Sequence, residues 1–240
     1  MKREPTQAEI DARVDCAKAN AEKARAAARN LAAEERQGIA QARSFEASAR
    51  SAEMDLEIAS ELHARHLASD SHHHVYRFAG KVASETVKTC MDELSYWHRM
   101  DEKCPMEVVF YSPGGEVMCG MALYDFLRDM SQRGHYITTV CSGYAASMAG
   151  IILQAGDKRI IGSESYLLVH EITAATYGKV GVIEDDVKFY KRICERVANI
   201  FVSRSGGKLT KARMNKEWVG HDWWIDSKLA LELGMVDEVR

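Results

Sequence analysis

The stretch Gly143-Tyr144-Ala145-Ala146-Ser147-Met148-Ala149-Gly150 sets one hydroxyl between a strand-like run and a helix-like run. That junction limits the fold more than any other feature of the chain. Before it, His135 to Cys141 is rich in β-branched and aromatic residues, which predicts a strand. After it, Met148 to Ala155 is an apolar run of good helix formers. Small residues on either side of Ser147 let the backbone turn sharply and hold the hydroxyl clear. A serine at the mouth of a helix lies near unpaired N–H groups and the positive end of the helix dipole. Those conditions suit a nucleophile and an oxyanion hole. They suit a plain N-cap serine equally well, so the rest of the chain has to decide.

The remainder divides by composition. Residues 1–69 are rich in Ala, Glu and Arg, with 11 basic and 12 acidic side chains, one glycine (Gly38) and no proline after Pro5. Their propensity is strongly helical. The apolar residues larger than alanine are few, and Ile10, Val14 and the distant Leu31 make no sustained heptad seam. This predicts a long polar helix or helical hairpin that cannot bury a core alone, an extension preceding a domain over 70–240. Ser69-Asp70-Ser71-His72-His73-His74 reads as a solvated linker, because three adjacent histidines do not converge on one ion.

From Val75 the pattern is α/β. Strands are predicted at Val75–Phe78, Met106–Tyr111, 136–141, Lys158–Ile161, Tyr166–His170 and Val236–Val239. Helices are predicted at Ser84–Met100 (N-cap Ser84), Met118–Met130, Glu184–Ser203, Leu209–Trp218 and Ser227–Leu233. Strands alternating with helices argue a mostly parallel sheet covered on both faces.

Bulk properties remove several functions. A net charge of -3 gives no footprint for nucleic acid or an anionic membrane. No apolar run reaches the roughly 18–20 residues of a membrane span. No apolar signal region opens the chain. The six cysteines have no metal-like spacing and read as cytosolic thiols.

Two further features bear on Ser147. Ser112-Pro113-Gly114-Gly115 follows a strand and precedes a helix, where paired glycines leave a backbone N–H uncovered. It lacks the Lys-Ser/Thr of a phosphate loop. His170 closes an apolar strand and is a candidate base. A carboxylate on its second nitrogen would complete a triad. Glu171, Asp185, Asp186, Asp222, Asp226 and Asp237 are all candidates, and spacing does not choose among them.

Taken in order, Tyr111-Ser112-Pro113-Gly114-Gly115, Gly120 to Asp125, Gly143 to Met148, Val169-His170, His221-Asp222-Trp223-Trp224 and Gly234-Met235-Val236-Asp237 resemble the motifs of the Clp protease proteolytic subunit. That family lies within the ClpP/crotonase superfamily. The resemblance runs from about Val75 to the end. It implies a repeated β-β-α spiral core with a handle segment, here preceded by the helical extension. It implies a serine endopeptidase with Ser147 as nucleophile, His170 as base and Asp222 orienting it, with no metal and no cofactor. The N–H groups of Gly115 and Met148 would form the oxyanion hole. Gly114, Tyr144, Ile172 and Thr173 would meet the substrate. Residues Ile172 to Ile183 would form a strand-and-helix handle that joins rings and binds peptide by β-addition. The partners implied are polypeptide substrates, other copies in rings of six or seven subunits, single or stacked, and a separate ATP-driven unfoldase, in a cytoplasmic setting.

This chain departs from the pattern at Tyr144 (usually glutamine), at Glu171-Ile172 (usually Gln-Pro), in a short insertion around Arg128 to His135, and in its extension. The extension suggests a phage-type head-maturation protease working in a procapsid with capsid or scaffold proteins. Two alternatives are a crotonase-like acyl-CoA enzyme, which the Ser147, His170 and Asp222 set argues against, and a catalytically silent ring subunit.

Overall fold

A computed structural model describes residues 6–240. Contacts divide the chain after Arg65 into two compact units. The first is one continuous helix, α1 (Gln7–Leu67, 61 residues), rather than a hairpin. At 1.5 Å per residue it is roughly 90 Å long. The Thr6 N–H donates to the Glu9 carboxylate at 2.8 Å, satisfying one orphan donor at its start. Leu31, Phe45 and Leu56 are 69%, 74% and 72% exposed, so within this unit the helix has no core.

The second unit holds β1 (Val75–Ala79), α2 (Ser84–Met100), β2 (Met106–Ser112), α3 (Val117–Gln132), β3 (Ile137–Ala146), α4 (Met148–Leu153), β4 (Lys158–Ile161), β5 (Tyr166–Val169), α5 (Val180–Arg204), α6 (Lys211–Trp218), β6 (Trp223–Asp226), α7 (Ser227–Glu232) and β7 (Glu238–Val239). The mixed α/β architecture with a parallel-rich sheet and a long N-terminal helix agrees with the fold implied above. Strands run in the order β1-β2-β3-β4-β7, all parallel, and β5 branches from β3 with β6 antiparallel to β5.

The long β3 makes the branch possible. Its first half, Thr138–Cys141, pairs with β4, and its second half, Tyr144–Ala146, pairs with β5. The ladder to β2 shifts register between Phe110 and Ser112 beside this change of partner. Strand β3 therefore runs past Cys141 and stops only at Ser147. Every residue of α4 is buried behind it. Phe78, Leu94, Trp97, Phe110, Leu123, Leu127 and Phe201 build the core around the sheet. Each such side chain contributes about 1.5–3 kcal/mol by leaving water.

Several expectations are corrected. Ser84 is not the cap of α2: Ala83 holds that position, and its N–H donates to Thr86 Oγ1 at 3.1 Å. The 69–74 segment is docked rather than free, since Ser71 Oγ donates to Glu93 at 2.8 Å and accepts from Trp97 Nε1 at 3.3 Å. Within a single chain residues 171–177 form no strand, since a ladder there needs a second copy to bond. The handle helix begins at Val180, and its first turns leave Val180 72% and Val182 51% exposed. Among the described residues no helix is long and apolar enough to cross a membrane.

Asp237, one of the six candidate carboxylates, has a structural partner. It accepts from the Nε of the buried Arg159 at 3.0 Å and from its Nη2 at 2.5 Å. Burial opposes its charge, but these bonds outweigh burial and hold its carboxyl below the usual range. A lowered folded-state pKa stabilises the fold above the ordinary carboxylate range near 3.9, and that contribution is lost as pH falls through the lowered value. Asp237→Asn strands the Arg159 charge in the interior. It is expected to cost about 3 kcal/mol and to lower Tm by about 6–12 °C in a calorimetric scan at neutral pH. An unchanged Tm would refute this.

Candidate active site

Ser147 is the single residue between β3 and α4, with φ 53 and ψ -121. An L-residue held at positive φ costs about 1–3 kcal/mol and persists only where its surroundings impose it. Here the Ser147 N–H donates to Leu168 O of β5 at 2.7 Å, and the Ser147 carbonyl accepts from Gly150 at 3.1 Å. The strain comes from this pinned corner, which explains why the β3 ladder ends one residue short of the serine.

The Ser112-Pro113-Gly114-Gly115 loop lies against that corner. A Cβ on Gly114 would sit 2.5 Å from Ala146 O and 2.8 Å from Ser147 Cβ, and one on Gly115 would sit 2.2 Å from Val82 O. Both positions therefore exclude any side chain. Ser112 Oγ shapes the turn by donating to Gly80 O at 2.6 Å and accepting from Gly114 N at 3.2 Å. Among the described residues, neither Gly115 N–H nor Met148 N–H donates to another protein group. Two unspent donors thus flank Ser147.

A cleft of about 180 Å³ opens here, with Gly115, Ser147, Met148, His170, Ile172 and Thr173 among its walls. Val117, Ile151, Val197 and Trp218 supply an apolar floor that the sequence reading missed. Met214 and Trp218 stand four residues apart on the buried face of α6, but helical spacing says core, not cleft. Tyr144 does not line the cleft; its ring packs edge-on against Tyr111 at 4.9 Å.

His170 and Asp222 line an adjoining cavity of about 500 Å³ together with Glu171, Gly220 and His221. Among the described residues no hydrogen bond joins Ser147 to His170 or His170 to Asp222. Instead His170 Nδ1 lies 2.5 Å from the Glu171 carbonyl oxygen. A carbonyl only accepts, so Nδ1 carries a proton, and Nε2 is the nitrogen left to act as acceptor. That is the tautomer a base acting on a serine needs.

Tertiary contacts sort the other carboxylates. Asp226 caps α7 by accepting from Leu229 N at 2.8 Å. Asp185 pairs with Lys188, Asp186 accepts from Thr176, and Asp237 pairs with Arg159. Glu171 accepts from Gly220 N at 2.8 Å. Asp222 alone of the six is on the His170 cavity without such a partner. Cys141, the nearest thiol upstream of the serine, is buried, and burial pushes its pKa up to about 12, which keeps it an inert thiol.

The chain is similar to known proteins over its second unit. The sequence model of the family described as Clp protease matches residues 69–240. An ATP-dependent Clp protease proteolytic subunit of Chlorella vulgaris is 31% identical over 146 residues, covering 60% of this chain and 70% of the relative. Proteins of the same description from Bacteroides fragilis and Porphyromonas gingivalis are 29% and 28% identical over 161 residues. Each alignment covers 66% of this chain, with 75% and 70% of the respective relative.

Proposed function

The chain belongs to the Clp protease family, and we propose that it is a serine endopeptidase acting through Ser147, His170 and Asp222. The observation that carries the reading is the strained Ser147 corner set against two unspent N–H donors in a cleft shared with His170. Ser147 Oγ attacks the scissile carbonyl carbon, and His170 Nε2 takes its proton. The developing oxyanion is met by the N–H groups of Gly115 and Met148. His170 then returns the proton to the leaving amine, and water hydrolyses the acyl-enzyme by the same exchange. In the working state Asp222 approaches the Nδ1–H that the Glu171 carbonyl holds and stabilises the imidazolium as it forms.

The cleft's floor of Val117, Ile151, Val197 and Trp218 suits an apolar substrate side chain. Ile172 and Thr173 on its wall belong to a segment whose backbone has no ladder, available for β-addition of a peptide. The exposed Val180, Val182, Val187 and Phe189 on the handle helix support self-association into rings. A separate ATP-driven unfoldase would supply unfolded chains. Helix α1 is read as an assembly or removable segment, of the kind a capsid-maturation protease would carry.

Fluorophosphonate labelling of the assembled protein tests the central claim. One adduct is expected, and peptide mapping should put it on Ser147. No adduct, or an adduct elsewhere, overturns the reading. The intact mass from the same sample shows whether α1 is retained. A ring of unchanged size after deletion of residues 1–69 would remove the assembly role.

A further inference from the structure

Glu171 follows the proposed base directly and is tied to the active-site region at two points. Its carbonyl takes the His170 Nδ1–H at 2.5 Å, and its carboxylate takes the Gly220 N–H at 2.8 Å, across 49 residues of sequence. Gly220 lies in the short turn that joins the end of α6 to β6, and Asp222 is the last residue of that turn. Val219 N–H donates to Asn215 O at 3.3 Å and His221 N–H to Trp218 O at 3.2 Å, so both of these bonds tie the turn back to α6. The Glu171 bond ties the turn's Gly220 end across to the end of β5, while the ladder pairs Trp223, next to Asp222, with Val169. The Asp222 side chain makes no hydrogen bond among the described residues, so its place is set by the turn on one side and by Trp223, paired with Val169, on the other. The titratable groups lining this cavity are His170, Glu171, His221 and Asp222.

We propose that Glu171 is a positioning residue: its carboxylate holds the Gly220–Asp222 turn against the end of β5 and so keeps Asp222 on the His170 cavity. The inference rests on the serine-peptidase reading. Its physical content is that one residue sets both groups that can orient the base. The carbonyl fixes the Nδ1–H tautomer, and the side chain fixes the approach of the carboxylate. An acceptor is all that Gly220 N–H needs, so a glutamine carbonyl oxygen at this position can replace the carboxylate oxygen.

The test compares wild type, Glu171→Ala and Glu171→Gln as assembled full-length protein. The readouts are hydrolysis of an unstructured fluorogenic peptide and hydrogen exchange at the 219–222 amides. Glu171→Ala is expected to lower kcat about 10- to 100-fold, the size of effect a displacement near 1 Å has on a catalytic group. KM should change less than kcat: Glu171 borders the cleft, but the apolar floor of Val117, Ile151, Val197 and Trp218 is unaltered. Exchange at Gly220 should speed up. Glu171→Gln should restore most of the kcat and the protection. A merely structural role would lower the active fraction of both variants, which also lowers apparent kcat at unchanged KM, so rates are expressed per serine titrated with fluorophosphonate. A structural role then restores the wild-type kcat per site, whereas a positioning role leaves it low in Glu171→Ala. Full or raised activity in Glu171→Ala overturns the inference, as does a glutamine variant as impaired as the alanine one. If wild type gains no adduct on Ser147, the peptidase reading fails first and this inference falls with it.

Discussion

Ser147→Ala is expected to lower kcat for peptide hydrolysis by about 10⁶-fold, the scale on which loss of the nucleophile acts in serine peptidases. Residual turnover should match catalysis by the oxyanion donors and binding alone. KM should change little, since the hydroxyl contributes almost nothing to ground-state contact with substrate. Stability should also hold within about 0.5 kcal/mol. The reason is local: Ser147 Oγ makes no hydrogen bond among the described residues, and the strained corner is held by backbone bonds to Leu168 and Gly150 that alanine keeps. The strain at positive φ is equal for the two side chains. Steady-state kinetics beside a calorimetric scan checks both parts. A variant that kept a tenth of the wild-type kcat would remove Ser147 from the reaction. One that lost its fold would show that the hydroxyl is structural, the cap reading that the sequence alone allowed.

How much of this could be read from the chain depended on whether the cause was local. The α2 bounds, Ser84–Met100, and the β4 bounds, Lys158–Ile161, follow from periodicity and from β-branched content, and the structure has the same limits. Strand β6 was missed because Trp223–Asp226 is four residues long and is held by pairing to β5 rather than by its own pattern. Strand β3 was ended early at Cys141, because Ser142-Gly143 looks like a stop, whereas the ladder continues with a new partner. The handle segment, 171–177, forms no ladder within the single chain, because a strand needs a neighbour to bond and the family pattern puts that neighbour in another copy. At the candidate site, the residues alone allowed a cap serine at Ser147 and a plain turn at Gly114-Gly115; the resemblance set the two together, and in the structure the loop lies against the Ser147 corner. The apolar floor was not legible, because Trp218 reaches the cleft only through the packing of α6. Glu171 was visible as a departure from the family pattern and as one of six candidate carboxylates, but not in its contacts, since a backbone carbonyl and a bond to Gly220 leave no mark in spacing.

Spacing left six carboxylates open and the family resemblance pointed to Asp222, to which the structure adds that the other five have partners elsewhere. Asp222 yields the second large effect. Asp222→Asn is expected to lower kcat about 10³-fold while leaving stability within about 0.5 kcal/mol. In a triad held by the aspartate alone the same change costs about 10⁴-fold, chiefly because the amide favours the wrong imidazole tautomer. Here the Glu171 carbonyl holds Nδ1–H independently of Asp222. The tautomer should survive, and the loss should reflect the missing stabilisation of the imidazolium. Stability should hold because Asp222 is exposed and makes no hydrogen bond to the rest of the described chain. Asp237→Asn supplies the contrast, with the fold weakened and the kinetics of the remaining native protein intact. Rates of fluorophosphonate labelling report the same step without peptide binding, so they should fall in parallel with kcat for Asp222→Asn. A fall of less than tenfold would mean that the Glu171 carbonyl orients His170 unaided and that the working unit is a Ser147–His170 dyad. A fall of 10⁴-fold or more would mean that the carbonyl releases Nδ1 completely in the assembled enzyme, and the tautomer then depends on Asp222 alone.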